Sequence, residues 1–242
     1  MKKQVVVIAV VSAFMGGCGS TADMLTSSLA SNAGAIMGGG SAGDFSAESL
    51  QSQFEINPGL AVSDPLLGAY VTSMISIISA QEIWLSAIGK AELAAELKAQ
   101  RVSLEGGEEI DGDALESIKL LSTQAESLIA ETKAEESTLT SENRATFATG
   151  FVPYALGVVQ AGKVVKMAPE YASYLKSNAL DITRASENLL MANALYDISR
   201  TGPGYLQTLY STSTLVLEYA KDQDIEVPSE FDQLSDIASM SL

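Results

Sequence analysis

The chain has 242 residues and a formal net charge of −16, and hydrophobic residues make up 47% of it. This apolar fraction excludes a disordered acidic tail, and the negative charge excludes overall electrostatic attraction to nucleic acid or to an anionic bilayer. Histidine is absent and cysteine occurs once, which excludes histidine acid–base catalysis, Ser-His-Asp and Cys-His nucleophiles, and ordinary zinc sites.

The first 17 residues have the three parts of a secretory signal peptide. The basic start Met1-Lys2-Lys3 precedes an apolar run from Val5 to Phe14, and small residues follow that run. The run is too short to span a bilayer, which needs roughly 20 apolar residues. The sequence therefore predicts a signal peptide over 1–17 that is cut before Cys18.

The cleavage site carries a second signal. Met15-Gly16-Gly17-Cys18 resembles the lipobox of bacterial lipoproteins, with Met15 where that family usually has leucine. The resemblance implies that Cys18 receives a diacylglycerol and becomes the new N-terminus. Gly19 stands where an aspartate would retain such a protein at the inner membrane, so the resemblance implies a lipid anchor in the outer membrane of a Gram-negative cell. As the only cysteine, Cys18 has no intramolecular disulfide partner, and two or more acyl chains anchor a protein stably.

Residues 18–63 begin with the lipidated cysteine and are rich in Gly, Ser and Ala, a composition typical of a flexible tether. The segment Gly38-Gly39-Gly40-Ser41-Ala42-Gly43 satisfies the dinucleotide-binding pattern G-x-G-x-x-G, which requires a strand before it and a helix after it. Its flanks are tether, so no cofactor is predicted. The short apolar segment at Phe54 is a candidate for packing on the helical domain that is predicted over 64–242.

The helical domain opens with apolar residues at helical spacing, which predict one long helix over roughly 64–102. Asp64 is suited to cap this helix, and Pro65 is suited to its first position. Gly106-Gly107 is predicted to end it. Trp84 lies within the apolar stripe, so we expect its side chain to be buried.

A second helix is predicted to start at Asp113, which forms a capping-box pattern with a glutamate three residues later, and to run to about 151. Pro153 is expected to break or kink the chain. A separate apolar helix is predicted over 154–167, and Pro169 is expected to open another.

The C-terminal part is divided by Gly202-Pro203-Gly204, which predicts a turn between two helices. A last short helix is expected from Pro228. No stretch alternates with the period of two that strands require. The predicted fold is all-α, an elongated bundle of about four to six helices, some of them long, behind the N-terminal tether.

Three sequence patterns resemble metal-binding or catalytic motifs, and each also has a simpler structural interpretation. Six carboxylates lie between Glu105 and Glu116 without the ligand order of an EF-hand, so we interpret them as helix capping and a solvated loop and predict no metal. Ser173 and Lys176 match the S-x-x-K of penicillin-binding enzymes, but no Lys-Thr-Gly follows. Glu126-Ser127 is similar to the catalytic pair of lytic transglycosylases, without the supporting motifs of that family. No catalytic residue is predicted, and a cell-wall enzyme is the third hypothesis.

Two segments have the composition of membrane helices. Residues 65–81 carry no charge, and residues 147–167 are apolar apart from Lys163 and Lys166. Both are near the lower length limit for a span, which favours buried core helices. Insertion of the 147–167 segment, as in helical pore-forming toxins, gives the alternative function: a membrane-active or lipid-handling protein.

Tyrosines concentrate in the C-terminal half of the chain. Tyrosine combines apolar area with a hydroxyl and is enriched in interfaces, although tyrosines lining a helical core explain the pattern as well. The leading hypothesis is a non-enzymatic binding or assembly module, anchored to a membrane by lipid, for a protein partner in the envelope. The candidate partner surface consists of Tyr154, Tyr171, Tyr174, Tyr196, Tyr205, Tyr210 and Tyr219.

Overall fold

The computed structural model describes residue 54 and residues 64–106, 112–135, 137–178, 185–228, 231 and 234. The predicted signal peptide, Cys18 and the Gly-rich segment therefore lie outside the described residues, as do residues 107–111 of the acidic loop between Glu105 and Glu116. Phe54, which belongs to the predicted tether, is buried in the hydrophobic core.

Six helices make up the greater part of the described chain, and no strand occurs in it. The prediction of an all-α helical bundle is confirmed. The helices are α1 (Pro65–Ala87), α2 (Ala91–Glu105), α3 (Gly112–Ala134), α4 (Ser141–Ala148), α5 (Phe151–Asn178) and α6 (Ala185–Asp222).

The first predicted helix is two helices, because the chain turns at Gly89. Asp64 caps α1 as expected, since its Oδ1 accepts hydrogen bonds from the backbone N–H groups of Leu66 and Leu67 at 3.0 Å each. At the other end Gly89 adopts a φ of +79°, and Lys90 N–H donates to the carbonyl of Leu85 at 2.8 Å. This is a Schellman ending that glycine permits, so the single helix predicted over 64–102 was wrong.

The second predicted helix also ends early, at Ala134 rather than near 151. The backbone of 137–139 bonds instead to the buried side chain of Gln223, whose amide donates to Ser137 O at 2.9 Å and accepts from Leu139 N–H at 2.8 Å. Thr140 then caps α4 by accepting a hydrogen bond from Asn143 N–H at 3.1 Å.

Three predicted interruptions in the C-terminal half lie inside helices. Pro153 occupies the first turn of α5, where an N–H has no helical partner in any case. Pro169 lies within α5, and Gly202-Pro203-Gly204 lies within α6, so the boundary at 167–169 and the turn at 202–204 were wrong. Both helices are buried against neighbours on either side of their prolines, and this packing outweighs a proline cost of about 3 kcal/mol.

The core forms where α5 packs along both α1 and α6, while α2 packs on α1. Trp84 is fully buried, which confirms the prediction for this residue. Its indole Nε1 donates to the carbonyl of Phe147 at 3.1 Å, and its ring contacts those of Phe147, Phe151 and Tyr154. The C-terminal Phe231 joins this aromatic cluster by an edge contact with Phe151.

Candidate tyrosine surface

The structure divides the seven candidate tyrosines into two groups. Tyr174 and Tyr196 are exposed and Tyr210 is half-buried. The other four are buried in the bundle, so a partner cannot reach them and they are removed from the candidate surface: Tyr154, Tyr171, Tyr205 and Tyr219.

Packing of the core accounts for the buried tyrosines. The Tyr154 hydroxyl donates to the carbonyl of Leu209 at 2.7 Å, which ties α5 to α6. The Tyr171 hydroxyl donates to Oδ2 of Asp64 at 2.7 Å, so the same carboxylate caps α1 and holds α5. Burial, followed by the nearby Asp64 carboxylate, raises the pKa of Tyr171 above that of a free phenol, and burial raises the pKa of Tyr205. These side chains stabilise the fold.

The two exposed tyrosines are each held by a neighbour on the bundle. Tyr174 stacks on Tyr171 with ring centroids 6.0 Å apart and planes within 13° of parallel. The ammonium of Lys176 lies 5.3 Å from the centroid of the Tyr196 ring, a cation–π contact between α5 and α6. Each contact favours one orientation of its ring, which lowers the entropy cost of binding through that ring.

Helices α5 and α6 run antiparallel, as three contacts between them show. Lys176 meets Tyr196, Gly202 lies against Val165, and the Tyr210 hydroxyl lies beside Gly162. A Cβ at Gly202 would lie 2.4 Å from Cγ2 of Val165, so glycine permits the close approach of the two helices here.

Tyr196 of α6 therefore lies along one side of α5. Tyr174 is on the other side of α5, next to Tyr171, whose hydroxyl bonds to Asp64 at the start of α1. At 100° per residue, the exposed residues of α5 between these two sides are Lys166, Pro169, Glu170, Ser173 and Ser177. We use the name outer face for these residues together with Lys163, Tyr174 and Lys176 on α5 and Tyr196, Asp197, Arg200 and Tyr210 on α6.

The outer face differs in charge from the rest of the acidic chain. Helix α5 carries three lysines and one glutamate, and it alone among the six helices has a positive formal charge. Lys166, Lys176 and Arg200 are exposed, Lys163 is half-buried, and Glu170 and Asp197 are the carboxylates among them. Arg200 and Asp197 approach each other only to 4.0 Å, at the limit of an ion pair. The exposed cations Lys166, Lys176 and Arg200 can be reached from solvent.

The serines of the two catalytic pairs considered from sequence each donate to a backbone carbonyl of their own helix. The Ser173 hydroxyl donates to the carbonyl of Pro169 at 2.9 Å, while the Lys176 ammonium lies over the Tyr196 ring. Ser127, beside the half-buried Glu126, donates to the carbonyl of Thr123 at 3.1 Å. Within the described ranges, no group of three or more Asp, Glu or Cys side chains is placed to hold a metal ion.

The 147–167 segment, on which the alternative function depends, contributes to the centre of the core. Phe147, Phe151, Val158 and Val164 are each fully buried. Of the described helices, α1 alone has the length and composition of a membrane span, and 67% of its most apolar window is buried, as in a core helix of a soluble bundle. Membrane insertion of 147–167 would require α5 to leave both α1 and α6.

Lys163, Lys166 and Lys176 were named from the sequence but were not recognised as parts of one basic surface. Lys163, Lys166, Glu170 and Tyr174 recur at intervals of three to four residues, the spacing of one helix side, and this signal was present in the sequence. The pairing of Lys176 with Tyr196 depends on helix packing and left no local signal. Comparison of the chain with models of protein families, with curated proteins and with solved structures gave no match in any of the three.

Proposed function

We propose that this chain is a lipid-anchored envelope protein whose helical body binds a protein partner through the outer face of α5 and α6. The anchor is the lipid at Cys18, the outer membrane is the proposed location, and the body is proposed to be non-enzymatic. The partner surface is centred on Tyr174 of α5 and Tyr196 of α6, and Lys176 of α5 contacts the Tyr196 ring.

One observation carries the proposal for the partner surface. Among the described residues, four large hydrophobic side chains are exposed: Val102, Leu120, Tyr174 and Tyr196. The two tyrosines belong to one face, and each is held in place by a ring or ammonium contact. Tyrosine is one of the residue types that are enriched among the side chains contributing most to the binding energy of protein interfaces.

One edge of the outer face lies near the start of α1. Asp64, which caps α1, bonds to Tyr171, and Tyr171 stacks on Tyr174.

The anchor has a direct test in the mature protein. We expect mass spectrometry of the N-terminal peptide to show Cys18 at the N-terminus with the mass of attached acyl chains. The result follows from the lipobox-like segment before a lone cysteine. An intact Met1, or cleavage beyond Cys18, would refute the anchor and leave the proposal for the outer face to be judged on its own.

The partner surface is tested by photo-cross-linking in intact cells, with benzoylphenylalanine placed at position 196. We expect one dominant adduct with an envelope protein from this position. The matched control places the same amino acid at position 124, because Gln124 is exposed and lies on α3, away from the α5 and α6 residues of the outer face. The same adducts from both positions, or none from position 196, would contradict the proposal.

A further inference from the structure

The charge of the outer face indicates which class of partner it can bind. We propose that the outer face recognises an acidic protein surface, with Lys166, Lys176 and Arg200 as the contacting cations and Tyr174 and Tyr196 as flanking aromatic contacts. The inference rests on the proposed function, because it names the partner class of the same surface.

The outer face differs in charge from the chain as a whole. The protein carries 30 acidic residues against 14 basic ones, yet α5 has three lysines and one glutamate. Four of the basic residues gather on the outer face of α5 and α6, where two carboxylates accompany them. Exposed charges separated by more than about 8 Å are largely screened at physiological salt, so a partner senses this local excess more strongly than the distant acidic residues.

The cations of the outer face lie on both helices. Lys166 is an exposed residue of α5 about two helical turns before Tyr174, and Arg200 follows Tyr196 by about one helical turn on α6. The Lys176 ammonium is already drawn toward the Tyr196 ring. An incoming carboxylate gains a charge-assisted hydrogen bond from such a cation, and the rings contribute apolar contact around it.

The membrane is the competing occupant, since tyrosine and lysine also populate bilayer interfaces. The protein as a whole carries a formal net charge of −16, which opposes its accumulation at an anionic bilayer. A protein surface of limited extent can match the cationic face alone. The observations therefore favour an acidic protein partner over an anionic membrane.

The test uses the mature lipidated protein in phosphatidylcholine nanodiscs and a defined probe, a fluorescent peptide rich in glutamate. We expect the peptide to bind, and its affinity to fall at least about tenfold between about 50 and 500 mM salt because exposed charges are screened. The same peptide with glutamine for glutamate should not bind.

Charge reversal locates the site on the protein. The triple variant Lys166→Glu, Lys176→Glu and Arg200→Glu should lower the affinity for the acidic peptide at least about tenfold. A control triple variant has the same net charge and changes exposed lysines elsewhere: Lys98→Glu, Lys119→Glu and Lys221→Glu. All six positions are exposed, so both variants should keep wild-type circular dichroism, and the control should keep its affinity for the peptide within about twofold.

Three results would overturn the inference: equal loss of affinity in the two triple variants, equal binding of the glutamine peptide, or no binding of the acidic peptide. The outer face would be a membrane-binding surface instead if the wild type bound phosphatidylglycerol vesicles but not the acidic peptide, and if the first triple variant no longer bound the vesicles. If the peptide fails while position 196 still yields its cross-linked partner, only the acidic chemistry is refuted. If position 196 yields no partner, the proposed function fails independently of the peptide.

Discussion

Replacing Trp84 with alanine is expected to lower the free energy of unfolding by about 3–5 kcal/mol, the range for truncating a large buried aromatic side chain. Trp84 is fully buried and contacts three other aromatic rings, those of Phe147, Phe151 and Tyr154. The substitution opens a cavity at the junction of α1, α4 and α5. It also removes the indole N–H that donates to the carbonyl of Phe147, leaving that acceptor without this partner.

Urea denaturation of the wild type and variant measures this loss. Unfolding has to be followed by far-UV circular dichroism, because Trp84 is the only tryptophan in the chain. Trp84→Phe keeps one ring and should lie between the wild type and the alanine variant. Leu120→Ala, at a residue that is 59% exposed, is the control and should change stability by less than about 0.5 kcal/mol. A Trp84→Ala protein as stable as the Leu120→Ala protein would refute the proposed core.

Adding a single methyl group at Gly157 is expected to destabilise the protein by about 1–3 kcal/mol, whereas the same change at Gly204 should stabilise it by up to about 1 kcal/mol. A Cβ at Gly157 would lie 2.7 Å from Cγ1 of Ile77 and 2.8 Å from the backbone carbonyl oxygen of Ser73. The backbone of α1 cannot yield as a flexible side chain can, so α1 and α5 would have to separate. Gly204 also lies inside a helix, and a Cβ there would meet nothing within 4 Å.

The two variants therefore form a matched pair with opposite signs. Both replace a helical glycine with alanine, so the gain in helix propensity is common to them and the difference reports on the contact between α1 and α5. Thermal unfolding of Gly157→Ala and Gly204→Ala, measured beside the wild type, gives that difference. Equal shifts of the two melting temperatures would contradict the close packing of α1 on α5.

Helix content, the capping residue Asp64 and the burial of Trp84 could be predicted from the sequence, because each depends on local pattern. Apolar residues at helical spacing mark a buried face wherever the partner helix lies. Asp64 caps through backbone groups two and three residues further along the chain. The ends of helices were harder to predict, since Gly89 terminates one helix while Gly202 and Pro203 lie inside another.

The difference between those glycines comes from packing between distant segments. Gly202 lies against Val165 on another helix, where the lack of a side chain brings α5 and α6 together. Gly89 takes a positive φ and meets nothing within 4 Å, so only the turn requires it. The residues next to each glycine in the sequence do not show whether it ends a helix or lies at a contact between two helices.

The candidate surface could be predicted only in part for the same reason. Tyrosine composition pointed to the C-terminal half of the chain, but it did not separate Tyr171, which bonds to Asp64, from Tyr174, which is 43% exposed. These two tyrosines are one helical turn apart. Their different roles depend on where α1 begins relative to α5, a relation that is set by the tertiary fold.

The most direct test of the proposed partner surface is capture of the protein that cross-links from position 196, using a variant with Tyr174→Ala and Tyr196→Ala. Val102→Ala with Leu120→Ala is the matched control, since these are the other two large exposed hydrophobic side chains of the described residues. We expect the tyrosine variant to lose at least about tenfold in affinity for that protein, as truncation of aromatic hot spots does. Its melting temperature should stay close to that of the control, which should bind normally. Wild-type affinity in the tyrosine variant, at unchanged stability, would contradict the assignment of the outer face as the partner surface.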